Sequence, residues 1–484
     1  MYDTIIIGND VSTLVAATMM AHHGGKTVLL SEGDNQYVYT ESGYTFHVDP
    51  FPLTGFGPEQ TCTRLFSSLG TQLDEILPPR LLNPCFQIIL PHHRIDFFND
   101  KERLLKDIER EFAGHAADIR RMYMSAFKIY DFFEQWVRKN THFYPRNYKE
   151  FITYIKNIPG LIKEKLQLSK ALHAIKKNPT LYRVFEAHMT LFSNYVQDTQ
   201  IHSNIVTAYD LSAPFRGIYY HPHSKESLMR SLRSMFIKFG GHLINNCSVN
   251  NVSMRREINV DIDSYEKMST IRGRSLIIST KWEKFASLLL NNRKFRRLKR
   301  KLKSLHTLYY PFTLHMGVHE KCIPEMMASY AVIVGNNGNA KLYNNIVFLE
   351  SSFCGETERA LSGKRALSAT VFLKESPLTL TDEEFDDISS SIFNSLDMVL
   401  PFLKDNLDYV NVGKSIELAK KCQGLVSHKY GSDTASFFGL HNIGSNTPMR
   451  NVFITGGMLM AALGFEGEIL SGVNAARAAI EQEA

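Results

Sequence analysis

The chain opens on an apolar, β-branched run, Thr4-Ile5-Ile6-Ile7, that stops at Gly8. A run of that kind predicts a short buried strand. Asp10, Ser12 and Thr13 then offer helix-starting side chains ahead of Leu14, Val15, Ala16, Ala17, Met19 and Met20. A helix is predicted there, stopped at Gly24-Gly25. Lys26-Thr-Val-Leu-Leu30, closing on Ser31-Glu32, predicts a second strand. Strand, helix and strand within about 30 residues make a βαβ unit, the beginning of a parallel sheet.

From about 100 to 215 glycine becomes scarce and apolar residues recur at helical spacing, as at Leu104, Leu105, Ile108 and Phe112. Alternation returns after 216, with a helix predicted over Lys225 to Phe239 and strands over His242 to Ile244 and Ser275 to Ser279. Strand-like runs follow at Leu305 to Val318, Tyr330 to Val334 and Ile346 to Glu350, then an acidic helix after Thr381. Near the end, Val452 to Thr455 reads as a strand, Gly456-Gly457 as a turn and Ile469 to Glu481 as an alanine-rich helix. The fold class is α/β. One discontinuous Rossmann-like domain is expected over 1–95, 216–285 and 425–484, interrupted by a helical insertion over 96–215 and a mixed α/β segment over 286–424.

Composition narrows this without changing it. The 484 residues are 44% hydrophobic and carry a formal charge of +6. That is too apolar for disorder and too weakly charged to imply a nucleic-acid partner, and none is expected. No run reaches the ~18 apolar residues of a membrane-spanning helix, and the start lacks the basic segment of a secretory signal. Six cysteines without C-x-x-C spacing argue against a disulfide framework and a zinc site, and the paired histidines have no partner at ligand spacing. A cytoplasmic protein is expected, one able to sit peripherally on a membrane.

The chemistry concentrates at the first turn. A dinucleotide fold sets its diphosphate at the N-terminus of the first helix, using glycines for the tight turn, the phosphate approach and the helix–strand contact. Those three positions are Gly8, Asp10 and Thr13, so one glycine of three remains. Glu32, 24 residues after Gly8, stands where an acid holds the adenosine ribose. A carboxylate about 4 Å from a phosphate costs on the order of 4 kcal/mol at an effective dielectric of ~20, or roughly three decades in Kd. Two readings stay open. In one, Asp10 caps the helix and the dinucleotide is weakened or lost. In the other, Asp10 turns aside, Ser12 donates to the phosphate and the cofactor is kept, which the survival of Glu32 favours.

In order along the chain, Gly43-Tyr-Thr-Phe-His-Val-Asp-Pro50, Gly217 through Val252, Phe437-Phe-Gly-Leu440, and Asn451 through Gly457 with Gly464-Phe-Glu-Gly467-Glu-Ile-Leu-Ser-Gly472 resemble the FAD-dependent phytoene desaturase and amine oxidase superfamily. The resemblance covers roughly 3–60, 216–285 and 430–484. It implies FAD as cofactor, with Val249 touching the adenine through its backbone and with Gly456, Gly457, Glu466 and Gly467 beside the flavin. It further implies hydride exchange between flavin and a hydrophobic, isoprenoid or lipid-like substrate, in a tunnel over which the insertions act as lid or membrane-facing surface. The departures count too. The double-glycine and arginine segment usual after the ribose acid is absent, and Glu466 and Glu468 bring acidic charge near the ribityl or diphosphate. Rab escort and GDP-dissociation inhibitor proteins, non-redox relatives that handle prenyl chains, show by resemblance that such a loss is compatible with a function.

No nucleophile or general base stands out. Aromatics such as Phe127, Tyr130, Phe132, Phe133, Trp136, Phe143, Phe151, Phe185 and Phe192 fit an apolar lining, and each singly fits plain core better. Residues 293–303 hold eight basic side chains in eleven positions around Phe295, Leu298 and Leu302. Such a stretch suits an anionic membrane surface, with nucleic-acid contact and a merely solvated helix as the competing readings. Lys139, Lys149, Lys156, Lys163, Lys165, Lys170, Lys176 and Lys177 over 138–177 would extend the same face.

Overall fold

The computed structural model describes the chain apart from residues 34–35, 141–147, 197–203, 255–256, 265–266, 282–283, 286–292, 336–338, 433–442 and 484. The opening unit forms as the pattern predicts: β1 (Tyr2–Ile7), α1 (Val11–His22) and β2 (Thr27–Leu30). β1 pairs parallel with β2, Ile7 opposite Leu30, and parallel with the long strand Lys267–Ser279, Ile7 opposite Ile278. His242–Ile244 adds to β2, and Val452–Thr455 adds to the long strand, both in parallel. An antiparallel meander, Ser248–Met254 and Ile258–Ser264, completes this seven-stranded sheet. Side chains alternate between its faces, so Ile5 and Ile7 enter one core while Ile6 enters another. The fold is α/β and Rossmann-like.

A second, eight-stranded sheet runs in the order Leu407–Val410, Leu305–His319, Lys364–Leu373, Ile346–Ser351, Tyr330–Val334, Phe86–Leu90 and His93–Phe97, with Lys429–Ser432 also on Leu305–His319. Its composition corrects two expected boundaries. Phe86–Leu90 pairs parallel with Tyr330–Val334, so this hairpin, placed by sequence in the 1–95 segment, is built into the second sheet. Lys429–Ser432, expected with 425–484, does the same. Both are short runs whose partners lie more than a hundred residues away, and local periodicity carries no record of such pairing.

The region expected to be helical is so: Lys101–Glu111, Ala116–Asn140, Tyr148–Ile175, Pro179–Phe192 and Asn204–Leu211. Phe127, Phe133, Trp136 and Phe185 are buried in the main core, as their helical spacing suggested. Phe143 lies outside the described residues. The acidic helix Asp382–Asp397 starts in a capping box, the Thr381 hydroxyl accepting from the Glu384 N–H while the Glu384 carboxylate accepts from the Thr381 N–H.

A buried ion network ties the early hairpin Val38–Glu41/Tyr44–His47 to the second sheet. Glu350 and Arg359 are both fully buried; the guanidinium donates to both Glu350 oxygens, to Tyr220 Oη at 3.1 Å and to the Thr45 carbonyl at 3.1 Å. His47 Nδ1 lies 2.7 Å from the same carboxylate. Burial opposes charge on Glu350, but Arg359 and His47 outweigh it and hold the carboxyl far below the usual carboxylate range.

Candidate functional site at the carboxyl ends of the parallel strands

The parallel strands of the first sheet end together, which brings Gly8, Glu32, Ser279 and Gly456 to one edge. In open α/β sheets this is the edge at which ligands bind. Gly8 has φ +144°, and a Cβ there would come within 2.6 Å of Thr13 Cγ2 and 2.7 Å of Ser279 Cβ. The first glycine of the turn is therefore required by the fold itself. Gly456 also has φ +144°, with room for a Cβ barred by Thr280, and its N–H donates to Ser471 Oγ at 3.0 Å.

Asp10 is the N-cap of α1 and is buried. Its Oδ1 accepts from the Thr13 N–H at 2.9 Å and from the Ser12 hydroxyl, while Oδ2 accepts from the Ser279 hydroxyl. Thr13 closes the box, its Oγ1 accepting from the Asp10 N–H at 3.0 Å. Of the two arrangements left open by sequence, the structure holds the capping one: Ser12 donates to Asp10, not outward. The carboxylate thus takes the Thr13 N–H, one of the helix-end donors that a diphosphate would use.

The adenosine end looks different. The Val249 N–H donates to Glu32 Oε1 at 2.6 Å, and Lys284 Nζ donates to the Val249 carbonyl at 2.6 Å. The structure brings together the acid and the backbone segment that the resemblance assigns to ribose and adenine. Both polar groups of Val249 have protein partners.

At the N-terminus of the last helix, Gly464–Glu483, the two glutamates point into separate clusters. Glu466 accepts from Thr61 Oγ1 at 2.7 Å, from Tyr209 Oη at 2.6 Å and from the Arg216 guanidinium. Its stem fills the space over Gly55, where a Cβ would approach within 2.7 Å. Glu468 lies 3.0 Å from Lys281 Nζ and 4.0 Å from Lys225 Nζ, and a Cβ on Gly457 would come within 2.6 Å of its Cγ. Lys225 in turn donates to Asp49 at 2.6 Å, and Asp49 accepts from the Ser427 N–H and hydroxyl. Burial opposes charge on all three partners named next, yet Lys281 is held well above the lysine range by Glu468, Glu468 is held below the carboxylate range by the two lysines, and Asp49 is held below it by Lys225 and Ser427. Tyr37 Oη is buried beside these charges and has no hydrogen-bond partner among the described residues.

Glycine serves packing at the remaining positions. A Cβ on Gly467 would meet the Met460 carbonyl at 2.2 Å, and one on Gly472 would meet the Ser12 carbonyl of α1 at 2.3 Å. The segment Phe437–Leu440 lies outside the described residues. Lys281, Lys225, Asp49, Arg216 and Tyr209 were not singled out by sequence. They come from three separate parts of the chain, Asp49, the run from Tyr209 to Lys225, and Lys281, and no local spacing joins the three.

The residues present can be weighed against FAD directly. At the adenosine end Glu32 stands beside Val249, whose N–H and carbonyl are taken by Glu32 and Lys284. The diphosphate end does not fit: Asp10 already accepts from the Thr13 N–H, and two further negative charges would enter beside the Asp10, Asp49 and Glu468 carboxylates. Between the first sheet and the helical insertion, Phe51, Leu191, Phe192, Tyr209, Arg216 and Phe465 wall a cleft closed down to about 20 Å³, room for one water. Among the described residues no cluster suits a metal ion, and no helix is long and apolar enough to cross a membrane.

No protein-family profile matches the chain. Prolycopene isomerase 2, chloroplastic, of an Oncidium hybrid cultivar is 21% identical over 450 residues, covering 85% of this chain and 72% of that protein. Among solved structures, putrescine oxidase bound to putrescine superposes with a TM-score of 0.59 at 13% identity, over 99% of both chains. Rab GDI from Plasmodium falciparum superposes with a TM-score of 0.51 at 10% identity, over 98% of this chain and 97% of that one. In fold the chain is similar to flavin-dependent oxidases, and along most of its length its sequence is similar to prolycopene isomerases.

Proposed function

We propose that this protein is an enzyme of the flavin-dependent oxidoreductase and isomerase class, acting on a hydrophobic, isoprenoid or lipid-like molecule, and that it takes FAD weakly. The observation that carries the substrate class is the apolar wall set between the first sheet and the insertion by Phe51, Leu191, Phe192 and Phe465. The likeness to prolycopene isomerases along most of the chain supports the same class. Glu32 beside Val249 supports a retained adenosine site, and the Asp10 cap is the reason for weak binding. The chain's own residues would shape and dry the cleft. Tyr209 and Arg216 are tied to Glu466 on one side of the cleft, and the rings of Phe51, Phe192 and Phe465 would have to part to admit the reacting molecule and would then keep water from it.

One observation favours a second reading. The Lys281–Glu468–Lys225–Asp49 chain is a complete, buried ion network that needs no phosphate, which suits a non-redox protein that binds or escorts a lipid or protein partner. A visible spectrum separates the two. The purified chain, titrated with FAD, is expected to develop a bound-flavin spectrum only at high FAD concentration, and to turn over a linear polyene in that loaded state. A chain that shows no bound flavin in saturating FAD, yet retains the polyene, would establish the second reading instead.

A further inference from the structure

The helix Tyr148–Ile175 presents two apolar faces. Leu161, Leu168, Leu172 and Ile175 are buried against the rest of the insertion. Tyr148, Phe151, Ile162 and Leu166 are exposed by 76%, 50%, 43% and 56%. At about 100° per residue these four fall within an arc of about 60°, on both sides of Pro159, and away from the buried face. Isolated exposed leucines need no explanation, but an aligned stripe of large apolar side chains marks an interaction surface.

The charge beside the stripe names the partner. Lys149, Lys156, Lys163 and Lys170 are exposed and fall together on a flank about 100–160° from Phe151. Glu164, on the same helix, turns away to accept from Ser125 at 3.0 Å and Lys128 at 2.9 Å on the neighbouring helix. An apolar stripe with a lysine flank is the pattern of a helix lying in the plane of an anionic bilayer, its stripe at the acyl boundary and its ammonium groups among the phosphates. We propose that the helix Tyr148–Ile175 docks this protein on an anionic lipid surface. The basic stretch expected from sequence differs in kind. In the helix Arg296–Lys303, Leu298 is 6% exposed and the preceding Phe295 1%, so its apolar side faces the core and it presents charge without a group to insert.

Position gives the surface a use. The docking helix packs on Pro179–Phe192 and Asn204–Leu211, the two helices that supply Leu191, Phe192 and Tyr209 to the cleft. An apolar molecule leaving the bilayer would pass from lipid to these helices without crossing water. That delivery step rests on the function proposed above; binding to the surface does not.

Flotation of the full chain with phosphatidylcholine vesicles, with and without phosphatidylserine, tests the surface alone. Wild type is expected to float with the anionic vesicles and to be released by salt in part. The triple variant Phe151→Ser/Ile162→Ser/Leu166→Ser should lose binding at least tenfold, while Arg296→Gln/Arg297→Gln/Arg300→Gln keeps most of it. Because the triple variant has to remain folded for this comparison, Phe151→Trp gives a second readout: its emission should be quenched by brominated lipid above the wild-type background. Wild type that ignores anionic vesicles, a folded triple variant that binds as wild type, or no added quenching at Phe151→Trp would overturn the proposal. None of these outcomes touches the FAD titration, so the two readings fail separately.

Discussion

Replacing Asp10 by glycine is expected to tighten FAD binding by two to three orders of magnitude. The carboxylate now accepts from the Thr13 N–H and from Ser12 and Ser279, within the turn where a diphosphate would bind. A carboxylate held about 4 Å from a phosphate opposes it by ~4 kcal/mol at an effective dielectric of ~20, and three decades in Kd correspond to about that energy. Glycine is itself an accepted N-cap, so the loss of helix stability should be only a few tenths of a kcal/mol. Quenching of FAD fluorescence on titration with Asp10→Gly and wild type measures the ratio. Equal affinities would place the phosphate path away from Asp10. Asp10→Asn, which keeps a capping oxygen and removes the charge, should fall between the two.

The largest loss of stability is expected from Arg359→Met. It leaves the fully buried Glu350 carboxylate without its bidentate partner, and uncompensated buried charges of this kind cost about 3–5 kcal/mol. A urea midpoint reads it. The double variant Glu350→Gln/Arg359→Met should recover much of the loss, because no charge is then left unpaired. The pH dependence has a definite sign. Glu350 has a depressed folded pKa, so its stabilisation is complete above its unfolded value of about 4.3 and is lost as pH falls below that towards the folded value. Arg359→Met removes most of the depression, so the variant should show a shallower fall in stability below about pH 4 than wild type.

What the sequence disclosed divides by distance along the chain. The βαβ unit, the helical insertion and the Thr381 helix start follow from neighbours within a few turns, where apolar period and capping chemistry act. The pairing of Glu32 with Val249 spans 217 residues, and it was legible because a resemblance to other chains supplied it. The Lys281–Glu468–Lys225–Asp49 network had neither source as a network: Glu468 stood out only as an acid near the diphosphate, and only the fold makes the four neighbours. The hairpin Phe86–Phe97 was missed for the same reason, its place being set by Tyr330–Val334. The docking helix was half legible. Its lysines showed in the sequence, but which apolar residues face outward depends on the rotation that packing against Ala116–Asn140 imposes.

The close approach of Gly472 to the Ser12 carbonyl has a consequence for how the protein is made. Helix α1 packs on the helix Gly464–Glu483, more than 400 residues further along the chain, and β1 waits for Lys267–Ser279. The nucleotide-fold domain therefore cannot close during synthesis in the usual N-to-C order. Its opening βαβ unit lacks its neighbouring strand while some 240 further residues are translated, its Ile5-Ile6-Ile7 run open to wrong partners, so chaperone dependence during expression should be high and should respond to translation speed.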